Sequence, residues 1–459
     1  MKMNNSMTEG PILKSLIKFT IPIMLGNLFQ QFYTICDTII VGRTLGADSL
    51  AAVGATGTIS FLILGFSNGI ASGFSVVTSQ KYGGKDAAGV RVSFANGIEI
   101  MGIIGLAMTA LCILFMNPIL NAMNTPKNIL QDSYNYIVVI CAGLIGTIAY
   151  NLFSASLRAI GNSKIPLYFL IFSSFLNIGL DLLFILAFNW GVAGAAGATI
   201  TSQFVSAFLC WIYIVKKEPD LMPHKEDWKF NSGIINAELF IGLPMGLQYA
   251  ITASGTMVMQ SATNIFGSVA VAATTAAGKV CGIFTSIFMS FGQSIATYTG
   301  QNYGKMDMVR IKKGLKISVL ISSIYALLAG AIMSLLLPYE LKLFFSANDD
   351  MASLMPYART YTSLAASFFI PLGLIFIFRN AMQGCNHSIL AMLAGITELI
   401  TRVVCALLAI RTHTYLLACL CDPAAWLVAG IYTTVAFYCS AKSFSTKYDP
   451  ELPEYSQQI

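Results

Sequence analysis

Six ionisable side chains interrupt long apolar stretches of this chain: Asp37, Glu99, Asp181, Lys279, Glu398 and Arg402. A charge shielded from water is costly, so each is a candidate for binding or chemistry. Asn177 and Asp181 are spaced i, i+4, which puts a carbonyl oxygen and a carboxylate on one helix face. With Asp37 from a neighbouring helix they would complete a site made of oxygen donors. Desolvated carboxylates suit reversible proton binding, and carboxylates beside a neutral oxygen suit a hard cation such as sodium. The residue types leave both open.

Glu398 and Arg402 share the same i, i+4 spacing, but as acid and base they can neutralise each other. A structural ion pair is expected there. Lys279 is expected either to join Glu398 and Arg402 in a polar cluster or to repel cations from a cavity. Glu99 lies close in sequence to Arg91 and is expected to reach a polar interface.

Other chemistries lack their residues. There is no GxxxxGK[ST] loop, no HExxH and no GxSxG, and His224, His387 and His413 are dispersed. The ten cysteines contain no CxxC pair. ATP-driven transport, hydrolysis and zinc binding are therefore not expected, the chain reads as no enzyme, and no cofactor is called for.

The elements that must carry these residues follow from composition. With 459 residues, 56% of them hydrophobic and only 10% charged, the chain has too little polar surface for a water-soluble particle. Its mean hydropathy is +0.70. Apolar stretches long enough to cross a bilayer, about 20 residues, recur near 16–40, 52–79, 93–116, 134–157, 166–188, 192–215, 237–262, 270–298, 314–337, 357–379, 388–410 and 414–440. They are continuous rather than alternating, which predicts about twelve helices and excludes a barrel. The first follows Lys14 and Lys18 and reads as a span rather than a cleavable signal.

Net charge is +6, yet the basic residues do not form a nucleic-acid surface. Lys2, Lys14, Lys18, Lys81, Lys85, Arg91, Arg158, Lys164, Lys216, Lys217, Lys225, Lys229, Lys305, Arg310, Lys312, Lys313, Lys316, Arg379, Lys442 and Lys447 fall in alternate loops or the termini. Only Arg43, Lys127, Lys342, Arg359 and Arg411 fall on the other side. That asymmetry predicts a cell-membrane protein with both termini cytoplasmic. At 1.5 Å per residue, Asp37 then lies about 28 Å and Asp181 about 22 Å along their spans, both in the outer half.

An internal repeat organises the chain. Gln80, Tyr82, Gly83 and Asp86 fall on Gln301, Tyr303, Gly304 and Asp307, and Arg158 on Arg379, all at an offset of 221. Gly46, Ala51 and Ala52 fall on Gly267, Ala272 and Ala273, and Pro22 meets Pro244 with a slip of one. At the same offset Asn177 and Asp181 fall on Glu398 and Arg402. The expected organisation is an N-terminal lobe over 1–215, a cytoplasmic linker over 216–236, a C-terminal lobe over 237–440 and a tail over 441–459. Six spans per lobe make the repeat parallel, the arrangement of transporters that hold substrate between two halves. Pro22 and Pro244 each remove a backbone hydrogen bond and are candidate bending points.

These residues together resemble the multidrug and toxic compound extrusion (MATE) family. The resemblance rests on Asp37-Thr-Ile-Ile-Val-Gly42, Gly46 to Ala52, the Gln80 to Asp86 loop, Leu157-Arg158-Ala-Ile-Gly161-Asn162, Asn177-Ile-Gly-Leu-Asp181 and Gly242-Leu-Pro244. It implies a two-lobed, twelve-helix antiporter that expels amphipathic, often cationic drugs or metabolites in exchange for protons or sodium. By resemblance, Asp37, Asn177 and Asp181 carry the coupling cation, joined by the Thr199 hydroxyl, and sodium would sit among these four. Pro22 matches the proline at which the first helix bends when the carboxylate takes a proton. Family branches with a second cation site have an acid about eight residues after the later proline, where this chain has Thr252. The expected partners are small amphipathic molecules and membrane lipid, with the chain acting as a monomer. A flippase for lipid-linked saccharides, from the same superfamily, is the alternative; it would need several basic residues in its cavity.

Overall fold

The computed structural model describes residues 6–123, 125–342, 344–345 and 351–448, with the side chains of 441–448 excepted. Lys2 and the tail beyond 448 therefore lie outside the described residues. Within them the chain is helical throughout, with no β-strand.

The helices follow the apolar stretches in order. They are α1 (Ile12–Leu45), α2 (Ala47–Ala55), α3 (Gly57–Gly83), α4 (Ala87–Ala122), α5 (Lys127–Ala142), α6 (Leu144–Ala159), α7 (Lys164–Leu182) and α8 (Gly191–Lys217). Then come α9 (Ser232–Asn264), α10 (Ser268–Gly304), α11 (Met308–Leu341), α12 (Met351–Ser367), α13 (Phe369–Gly384), α14 (Ser388–Thr412), α15 (Tyr415–Cys419) and α16 (Cys421–Tyr448). Among the described residues, nine helices are long and apolar enough to cross a membrane, and the pairs α5–α6 and α12–α13 raise this to eleven. The stretch expected at 414–440 is occupied by α15 and α16. Large apolar side chains such as Leu106, Leu114, Leu327 and Leu335 project outward from their helices, as lipid contact requires. The chain is a multi-pass membrane protein.

The residues that register the repeat also shape the backbone. Asp86 caps α4 by accepting from the Gly89 N–H, and Asp307 caps α11 by accepting from the Arg310 N–H, each at 2.8 Å. Gly46 and Gly267, at φ of 90° and 88°, turn the chain into α2 and α10, a conformation that favours glycine. Both bent pairs turn by 47°. The two prolines sit well inside continuous helices, not in a first turn. Each leaves the carbonyl four residues before it, at Lys18 or Phe240, without its helical donor.

The chain forms two compact units, Lys14–Ala250 and Ile251 onward, so the division falls inside α9. Two features hold the start of α9 to the first unit. The 216–236 segment, expected as a linker, is tied to α4: Arg91 donates to Asp227 at 2.8 Å and the Asn231 N–H to Asn96 at 2.9 Å. Burial pushes the Asp227 carboxyl up, but the His224 N–H and the Arg91 guanidinium outweigh it and hold the group below the usual carboxylate range. Next, the small faces Gly69/Gly73 of α3 and Gly242/Gly246 of α9 meet backbone to backbone. Both are GxxxG spacings, which let membrane helices approach closely.

A Cβ at Gly73 would overlap the Gly242 backbone, whereas one at Gly102 meets nothing within 4 Å. Gly73→Ala is expected to destabilise the protein by about 1–3 kcal/mol, and Gly102→Ala to leave it unchanged. Thermal unfolding in detergent distinguishes the two.

Candidate functional site

In the first unit, α1 carries Asp37 and α7 carries Asn177 and Asp181. All three are buried, at 8%, 1% and 0% exposure. The Asp37 and Asp181 carboxyl groups are close enough to interact with each other. Two carboxyl groups so placed repel unless a proton or a cation lies between them. Among the described residues neither Asp181 oxygen, one Asp37 oxygen and neither polar atom of the Asn177 amide has a hydrogen-bond partner. Buried polar atoms are almost always satisfied, which makes this group the candidate site of the first unit. Its donors are all oxygen, the set a hard cation takes.

Three residues that sequence reading left out surround this group. Tyr33, one turn before Asp37, reaches Gln203 of α8 and lies within electrostatic range of Asp37. Tyr136 of α5 lies within electrostatic range of Asp37 and Asp181. They are not adjacent in sequence, and only the packing of α1, α5, α7 and α8 collects them. Directly after Asp181 the chain takes a π-helical turn, Leu183–Ala187. Gly194 of α8 fits against Phe184 there, which fixes α8 beside the site. Such turns occur often at functional positions.

Thr199 sits on the same helix, α8, half-buried. No hydrogen bond joins its hydroxyl to Asp37, Asn177 or Asp181 among the described residues; its carbonyl accepts from Ser202 at 2.8 Å.

The second unit resolves the other candidates differently. Glu398 and Arg402 form the expected pair, at 3.3 Å, but as the middle of a longer chain. Arg379 meets Glu398 at 3.2 Å, and Arg402 meets Asp422 at 2.7 Å. Arg379 is thus a buried residue of α13, also stacked over Phe376 at 5.0 Å, and not a loop charge as its sequence position implied. Arg158 likewise belongs to α6. Lys279 stands apart from this network: Ala276, Ala277 and Val280 face the core of α10 and turn Lys279 to the exposed side. The polar cluster expected from Lys279, Glu398 and Arg402 is therefore Arg379, Glu398, Arg402 and Asp422. Glu99 is half-buried and accepts from Asn96 at 3.4 Å.

With this geometry in hand, comparison with known proteins is direct. The family model MatE matches residues 22–183 and 244–408, so each matched stretch begins at one of the paired prolines. The chain belongs to the MatE family. It is 29% identical over 383 residues to the "Probable multidrug resistance protein YpnP" of Bacillus subtilis (strain 168), covering 83% of this chain and 84% of that protein. It is 26% identical over 354 residues to the "Probable multidrug resistance protein YoeA" of the same organism, covering 75% and 76%. Its fold matches the "Outward-facing conformation of a multidrug resistance MATE family transporter of the MOP superfamily" with a TM-score of 0.89 at 21% identity, over 95% of this chain and 97% of that one. As a MatE-family protein the chain is a transporter. In this MatE protein, the position eight residues after Pro244 on α9 is Thr252.

In the second unit, Glu398 separates two guanidinium groups. Glu398→Gln is expected to cost about 3–5 kcal/mol by leaving Arg379 without its counter-charge. Adding Arg379→Met should recover much of that loss. A double-mutant cycle of thermal unfolding in detergent tests both steps.

Proposed function

We propose that the protein is a secondary active exporter. It expels amphipathic, often cationic drugs or metabolites in exchange for protons or sodium bound at Asp37, Asn177 and Asp181. The observation carrying this reading is the pair of buried, facing carboxyl groups of Asp37 and Asp181 with no cationic side chain to balance them. A proton or a sodium ion relieves their repulsion, so the occupied and empty sites favour different arrangements of α1 and α7. Substrate stabilises the arrangement that the cation disfavours, and exchange follows from mutually exclusive occupancy. Thr199 joins the site when α8 turns its hydroxyl inward. Pro22 in α1 and Pro244 in α9 supply the bending points. The reading draws support from the relatives' multidrug-resistance names. It places the chain as a monomer in the cell membrane with both termini cytoplasmic.

The flippase reading finds no comparable support. Arg379 and Arg402 are committed to Glu398 and Asp422, and a pyrophosphate would have to compete with those acids.

The test is ethidium efflux from cells expressing wild type, Asp37→Asn and Asp181→Asn at matched levels, with the proton and sodium gradients collapsed separately. Both variants are expected to lose about tenfold or more in gradient-driven efflux, equivalent to roughly 1.4 kcal/mol. The gradient whose collapse stops the wild type names the ion. Wild-type efflux in both variants would overturn the site.

A further inference from the structure

A second buried acid lies in the first unit, far from Asp37 and Asp181. Glu238, near the start of α9, is fully buried. One of its oxygens accepts from the Ser93 hydroxyl of α4 at 2.7 Å, and Ser93 in turn meets the Thr78 hydroxyl of α3 at 2.9 Å. Thr78 ends the chain on the Phe74 carbonyl at 3.4 Å. The other Glu238 oxygen is buried and has no partner among the described residues.

Among the described residues no counter-charge faces it. On α4, Arg91 is held by Asp227 and Glu99 by Asn96; on α3, Lys81 is held by Asp86 at 3.2 Å. Gly97 of α4 lies beside it: a Cβ there would come within 3.9 Å of the carboxyl oxygen. A carboxylate buried with one hydroxyl donor and no cation is unstable in place. A structural tether alone would need only an amide or a hydroxyl there.

The hydroxyl chain serves both protonation states. When Glu238 is ionised, Thr78 donates to Ser93 and Ser93 donates to Glu238. When it takes a proton from water, the carboxyl donates to Ser93, Ser93 to Thr78, and Thr78 to the Phe74 carbonyl. Every hydroxyl proton keeps an acceptor in each case.

Glu238 lies six residues, about 9 Å, into α9, whereas Asp181 lies seventeen residues, about 26 Å, into α7. The helix α8 begins beside the turn after Asp181 and ends at the segment leading to Glu238.

We propose that Glu238 is a second proton-binding carboxyl of the transport cycle, at the end of the first unit opposite Asp37 and Asp181, with Ser93 and Thr78 as its hydrogen-bond relay. The proposal rests on the exporter reading for its role, but the binding of the proton at Glu238 does not. α9 is the helix that passes from the first unit to the second, so protonation at Glu238 acts on how its start is held.

The test uses the purified full chain in liposomes and dicyclohexylcarbodiimide, which modifies protonated carboxyl groups in apolar surroundings. Peptide mass spectrometry should find Glu238 modified, with a yield that falls as pH is raised, because only the protonated carboxyl reacts. Ser93→Ala should move that profile. Glu238→Gln, which preserves the tether to Ser93, should slow efflux driven by an imposed pH gradient by roughly fivefold or more. Glu238 unmodified at every pH, or Glu238→Gln transporting like wild type, would overturn the proposal. Labelling is read on the wild-type chain, so a poorly folding variant does not remove the test. Asp37→Asn is run alongside: wild-type efflux there removes the α1–α7 site and leaves Glu238 to stand or fall on its own labelling and variant.

Discussion

Charge placed where water cannot reach it must find an opposite charge or a proton, and the two units of this chain meet that demand in different ways. In the second, Arg379, Glu398, Arg402 and Asp422 alternate in sign along one continuous contact chain. Nothing mobile is required to balance it. In the first, Asp37 and Asp181 face each other without a base. Among the described residues no basic side chain balances them, and the exporter proposed above would draw that balance from solution.

The contrast is sharper because the scaffolds are repeated. Asp86 and Asp307 cap equivalent helices, Gly46 and Gly267 make equivalent turns, and the broken helices α5–α6 and α12–α13 bend through the same 47°. Against that shared frame, Asn177 and Asp181 occupy the places taken by Glu398 and Arg402. Two side chains on one helix face decide whether the helix carries a closed ion network or an open site.

Much of this was legible in the sequence. The apolar stretches fell at the observed helices because a span must be long and continuous. Arg379 was misplaced because Gln383, Gly384 and Asn386 follow it closely, and local polarity cannot tell an interface from a helix whose charge is neutralised by a distant acid. Asp422 sits beside a short helix break and was hidden in the same way. Glu238 stood at the edge of its apolar stretch, where burial depends on α3 and α4. The Gly69/Gly73 and Gly242/Gly246 spacings were visible, but a spacing does not name its partner helix. Tyr33 and Tyr136 could be recognised only from packing.

The π-helical turn at Leu183–Ala187 carries a consequence for how this site tolerates changes in chain length. A π turn holds one residue more than an α turn. Deleting a single residue there would return the turn to α geometry and remove the wide turn against which Gly194 of α8 fits. The stacked rings of Phe184, Phe188 and Trp190 would then leave the face on which α8 rests. A one-residue gap in this short stretch thus alters the surface that packs on α8 beside the site, while the same gap in the polar 216–236 segment lies outside it. Single-residue indels among related chains should therefore be rare between Asp181 and Gly194, even though no side chain in that turn binds anything.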